Sequence, residues 1–306
     1  MGNGRWSSTD WQNYAARNVS GKSRTELFTR RSLDDAVNPA RIAMRESRDS
    51  ADNPQSTPII LAADVTGSMG MVAHKLMQDG LNTLATEIYA RKPVTDPHVM
   101  AMAVGDACCD QAPLQVTQFE ADIRLADQVR NLWLEGGGGG NGGETYMSAH
   151  LFAATKTAAD AFEKRGRKGY LFTIGDEPVL DGLTREQAAR VMGFETPRDL
   201  SSHEILTMAQ RNWEVFHIIL SNEGYARARP DAVLRSWKAL LPERTIQLGD
   251  VDRLAETVVS AIQINEGAHP QDVTASWSGS TALVVAEAIR GMAPVPARRG
   301  LRRLFG

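Results

Sequence analysis

The stretch Pro58-Ile59-Ile60-Leu61-Ala62-Ala63-Asp64-Val65-Thr66-Gly67-Ser68 decides the fold. Ile59 to Ala63 form a continuous apolar run of strand length, the pattern of a central parallel strand buried on both faces. The run stops at Asp64. Side-chain oxygens then fall at alternate positions, on Asp64, Thr66 and Ser68, and Gly67 lets the backbone turn tightly between them. Apolar periodicity from Met69 to Tyr89 predicts a helix directly afterwards.

The pattern continues outward. Residues 99–104 and 114–119 read as a hairpin around a turn-rich 105–113. An amphipathic helix over 122–134, a glycine tract over 136–143 and a helix over 147–163 follow. A second apolar strand, 170–174, ends in Gly175-Asp176. Helices near 183–193, 201–211, 230–241 and 251–264 then alternate with strands over 215–220 and 245–248. Such alternation predicts an α/β chain with a doubly wound, mostly parallel sheet covered by helices on both faces.

This unit spans 58–267. Residues 1–57 read as a polar, partly helical extension outside the core, with helix starts after Ser8-Thr9-Asp10 and at Asn38-Pro39. Residues 268–306 carry a helix over 281–290 and a basic tail, Arg298 to Phe305, that reads as solvated or as a docking peptide. The two flanks have charges of +2 and +3, the middle −8, and the whole chain −3. That balance disfavours a dedicated nucleic-acid binder. No run of 18 apolar residues and no apolar leader within the first thirty residues predict a chain that neither enters nor spans a membrane. Cys108 and Cys109, adjacent and without CxxC spacing, predict buried or inert thiols and a reducing, cytoplasmic address.

In open α/β sheets the ligand crevice lies beyond the carboxyl ends of the strands. Three such places are rich in hard oxygen: Asp64-x-Thr66-x-Ser68, Glu144-Thr145 and Asp176. Oxygen donors without His or Cys suit Mg²⁺, with Mn²⁺ or Ca²⁺ as substitutes. A lone Asp before a helix is commonly only a cap. The glycine tract lacks a following Gly-Lys-Ser/Thr and reads as a loop that lets Thr145 approach or leave an ion. Asp106 and Asp110 read as ordinary turn residues on the same rim.

Asp64-x-Thr66-x-Ser68, Thr145 and Asp176, in this order and on these elements, resemble the metal-ion-dependent adhesion site of a von Willebrand factor A domain, over roughly 58–267. The resemblance implies a six-stranded sheet of order 3-2-1-4-5-6 with one antiparallel edge strand. It implies that Asp64, Thr66, Ser68, Thr145 and Asp176 hold the metal, some through water, with Ser148 as the nearby substitute for Thr145. It further implies a non-enzymatic module of bacterial or phage type whose ion is completed by a partner's Asp or Glu, an adaptor or subunit working beside an AAA+ ATPase. The alternative is a phosphatase or phosphotransferase of the haloacid dehalogenase type. Asp64-Val65-Thr66-Gly67-Ser68 resembles its nucleophile loop, and Gly175-Asp176 with Asp181 its acidic motif.

Overall fold

The computed structural model describes residues 4–137 and 143–294, with every side chain there except that of Ser68. The run that opens the sequence forms strand β1 (Thr57–Asp64), and its odd and even residues face opposite layers. Parallel β2 (Pro97–Val104) flanks it on one side, pairing Asp64 with Val104, and β4 (Gly169–Gly175) on the other, pairing Ala63 with Ile174. Strand β3 (Leu114–Val116) runs antiparallel to β2 at one edge. Beyond β4 lie parallel β5 (Trp213–Leu220) and β6 (Thr245–Leu248). The sheet order is therefore β3-β2-β1-β4-β5-β6. Numbered over all ten strands of the described residues, the same sheet reads 4-3-2-6-9-10, not the expected 3-2-1-4-5-6. The shift arises because Arg45–Ser47, Thr157–Ala159, Gly182–Leu183 and Leu200–Ser201 enter the count but pair in two small sheets of their own.

Two apolar layers cover the sheet. Ile59, Leu61, Phe172 and Phe216 face the helices Leu81–Arg91 and Leu254–Asn265. Ile60, Met100, Leu171 and Val215 face Tyr146–Thr155, Ser202–Ala209 and Pro230–Leu240. Strands buried on both faces exclude water from every ladder, so their ends define a rigid rim.

Several sequence expectations change. The helix expected over 147–163 is two helices, Tyr146–Thr155 and Asp160–Arg165, because Thr157–Ala159 pairs in parallel with Arg45–Ser47. The helix expected over 69–89 contains a π-turn at Leu76–Gly80. The amino-terminal segment is not outside the core: Trp11, Leu27, Phe28 and Val37 are buried in the first layer. Its helix Ser8–Asn18 is capped by Ser7, whose side chain accepts from Asp10 N–H, and Asn38 accepts from Ala40 N–H ahead of Pro39. At the other end Val285 and Ile289 pack on Ile264 and Val273. The basic tail and residues 138–142 of the glycine tract lie outside the described residues. Among the described residues no helix is long and apolar enough to cross a membrane.

Candidate functional site

Because β1, β2, β4, β5 and β6 are parallel, the loops after Asp64, Val104 and Gly175 emerge on one rim. Asp64 is fully buried there. Its Oδ1 accepts from the backbone N–H and the hydroxyl of Thr66, both at 2.8 Å, the local turn expected of an Asp two residues before a hydroxyl. Its Oδ2 accepts from the Tyr146 hydroxyl at 3.2 Å. Gly67, at φ +44°, donates its N–H to the carbonyl of Gly137 at 2.8 Å and so ties the first loop to the start of the glycine tract. Ser68 lies in the 3-10 turn Gly67–Met69 and its side chain is outside the described set.

Thr145 is buried on the same rim, but its hydroxyl is already engaged. It accepts from Ala107 N–H at 2.9 Å and donates to Asp106 Oδ1 at 3.3 Å. Ser148, its substitute, donates to the carbonyl of Thr145 at 2.7 Å. Asp176 accepts at Oδ2 from Tyr225 N–H at 2.5 Å, which links β4 to the helix Gly224–Ala228 after β5. The structure thus joins Asp64 and Thr66 directly, turns Thr145 toward Asp106, and holds Asp176 on the neighbouring loop.

Electrostatics bring in residues that the sequence reading left out of the ligand set. Burial pushes the Asp64 carboxyl up to about 8, with the charges of Asp176 and Glu177 adding to it. Burial and the Asp64 charge take Glu144 up to about 9. Burial and the Asp176 charge take Glu177 up to about 7, and burial also raises Asp176. Oε2 of Glu144 is buried with no hydrogen-bond partner among the described residues. Glu144 stood beside Thr145 in an oxygen-rich pair, and Glu177 follows Asp176, so adjacency was the available signal. Tyr146 gave none, since it falls one residue ahead of the helix expected over 147–163.

The β2–β3 turn extends the acidic rim. Asp106 accepts from Cys108 N–H at 2.7 Å and from the Cys109 thiol at 2.9 Å. Arg190 donates to the carbonyl oxygens of Ala107, Cys108 and Asp110, which holds this turn from below. Both cysteines are free and exposed, not buried. The Asp106 hydrogen bond pushes the Cys109 thiol up to about 12, so it is a poor nucleophile at neutral pH. Asp181 is exposed, ahead of Gly182–Leu183, and nothing in its placement favours the aspartyl-phosphate alternative.

Among the described residues no group of three His, Cys, Asp or Glu side chains is set to hold a metal ion. What the rim does present is two carboxylates from the expected set, a hydroxyl on Thr66, and two further acids.

No family model and no curated protein matches the chain. Among solved structures it is similar to the pilus adhesin SpaC from Lactobacillus rhamnosus GG in its open conformation, at TM-score 0.43 and 11% identity, over 73% of this chain and 32% of the adhesin. A second crystal structure of SpaC gives TM-score 0.44 and 11% identity, over 72% of this chain and 32% of that one. The chain thus spans about a third of the adhesin's length.

Proposed function

We propose that this chain is a divalent-cation-dependent protein-binding module of the von Willebrand factor A type, with Mg²⁺ as the resident ion. The observation that carries this reading is the acidic group of buried Asp64, Glu144 and Asp176 with half-buried Glu177 beside them. Burial raises the proton affinity of all four, charges within the group raise that of Asp64, Glu144 and Glu177 further, and among the described residues no lysine or arginine pairs with any of them. Buried carboxylates need a compensating cation or a proton, and the unpartnered Oε2 of Glu144 points to the former. An all-oxygen donor set fits Mg²⁺.

Asp64, Thr66, Ser68 and Asp176 would hold the ion, Thr145 after exchanging its Asp106 bond, and Glu144 through the unpartnered oxygen. The ion, when bound, would supply a coordination position for a carboxylate from outside. Asp64 is kept in place by Thr66 and Tyr146, and Asp176 by Tyr225 N–H. The partner is then a protein presenting Asp or Glu. An AAA+ ATPase as that partner rests on the resemblance alone, and a cytoplasmic address on the two free thiols. Neither specific nucleic-acid binding nor membrane binding is part of this proposal.

Titration calorimetry with Mg²⁺ on the full chain tests the reading, with partner capture as a second readout. Asp64→Ala should abolish both the heat and the capture while leaving the fold intact. Undiminished Mg²⁺ binding by that variant would defeat the proposal.

A further inference from the structure

The amino-terminal segment brings two arginines to the edge of this acidic rim. Arg24 opens the short helix Arg24–Leu27 and Arg31 follows it, while Leu27 and Phe28 between them are buried and fix the segment. Arg24, Phe28 and Arg31 line one wall of a cleft of about 80 Å³, and Val65, Gly67 and Gly70 line the other. Gly70 lets Arg24 lie against the first loop, since a Cβ there would be 3.1 Å from Nη1 of Arg24 and 3.4 Å from the carbonyl oxygen of Val65.

Neither guanidinium is neutralised by an acid among the described residues. Arg31 donates only to the carbonyl oxygens of Phe28 and Arg30, at 3.4 and 3.0 Å, whereas Arg30 pairs with Asp34 at 3.0 Å. A single water needs roughly 10–15 Å³ of such space, so the cleft admits the end of an acidic side chain. Its apolar wall suits a methylene stem, and guanidinium forks suit a carboxylate.

We infer that this cleft is the second half of the partner-recognition surface. It binds one carboxylate of an acidic peptide whose neighbouring carboxylate engages the Asp64 rim, so the partner segment carries two acids a few residues apart. The inference rests on the proposed rim function and names the chemistry of its partner.

Selection from a randomised peptide library on the immobilised full chain, in Mg²⁺ and in EDTA, tests it. Arg24→Gln/Arg31→Gln and Arg24→Glu/Arg31→Glu are the comparison proteins. Both substituted positions are exposed, so circular dichroism and melting should be unchanged. The natural chain should enrich peptides with two acids in Mg²⁺. The Gln pair should retain one acid and bind the two-acid peptide about fivefold more weakly. The Glu pair should exchange the second acid for Lys or Arg. Single-acid enrichment by the natural chain, or the same two-acid enrichment by all three proteins, overturns the inference. No enrichment of acidic peptides in either Mg²⁺ or EDTA overturns it together with the rim function. Two-acid enrichment that persists in EDTA and is lost with the Gln pair supports the arginine cleft and sinks only the metal.

Discussion

The hydroxyl of Tyr146 occupies the space that a side chain on Gly175 would need: a Cβ there would lie 1.9 Å from it. The last residue of β4 is therefore glycine because a side chain from another element crosses it to reach Asp64. Gly175→Ala should cost about 1–3 kcal/mol by the cost of overpacking, measured by urea denaturation. Tyr146→Phe alone should cost about 1 kcal/mol for one lost hydrogen bond. The pair should cost less than the sum, because removing the hydroxyl relieves the tightest contact; strict additivity would show that the two do not compete.

Alkaline conditions should weaken the cation-free protein. Asp64, Glu144 and Glu177 have carboxyls raised to about 8, 9 and 7, chiefly by burial. The folded state holds protons that an unfolded chain releases near pH 4, so this contribution is complete below that pH and is lost as pH rises through the folded values. Urea midpoints in EDTA should fall between about pH 6.5 and pH 9, and Mg²⁺ should flatten that decline. A flat profile in EDTA would contradict it.

Acid should act through two histidines. Burial lowers His150 to about 3, and burial with the charge of His150 takes His217 well below its ordinary value. The unfolded chain binds protons below about pH 6.5 that the folded core refuses, so stability should drop as pH falls from there toward 3. Both ring nitrogens of His150 lack partners among the described residues. His150→Leu should therefore raise the denaturation midpoint more at about pH 4 than at pH 7.

The amino-terminal segment should prove inseparable from the rest. Trp11 is 3% exposed and stacks with Trp6 and Tyr14, at ring separations of 5.7 and 6.2 Å. Trp11→Ala should cost about 3–5 kcal/mol in the same cooperative transition. A separate early transition would instead mark the segment as an independent unit.

The sheet was legible because two-sided burial writes itself into consecutive residues: Ile59 to Ala63, Tyr170 to Ile174 and Val215 to Leu220 needed no partner to be recognised. The hairpin's second strand ended three residues early, at Val116. There Thr117 Oγ1 accepts from Ala101 N–H, at 2.9 Å, in place of regular pairing. Thr157–Ala159 was hidden because its pairing partner, Arg45–Ser47, lies more than a hundred positions away, and no local period reports such a contact. At the rim, Asp64, Thr66 and Asp176 were legible as oxygens after strands. The engagement of Thr145 by Asp106 was not, since it depends on how two loops meet across the sheet.

The parallel pairing of Arg45–Ser47 with Thr157–Ala159, reinforced by ion pairs from Arg48 to Asp160 and Glu163, sets an order of events during synthesis. The first fifty residues leave the ribosome before any surface on which they settle has been made. Arg45–Ser47 must wait, without its strand partner, until the chain beyond position 160 has emerged. Until then the edge of that short strand stays open to pairing with another chain, and the newborn protein is most exposed to misassociation in that interval.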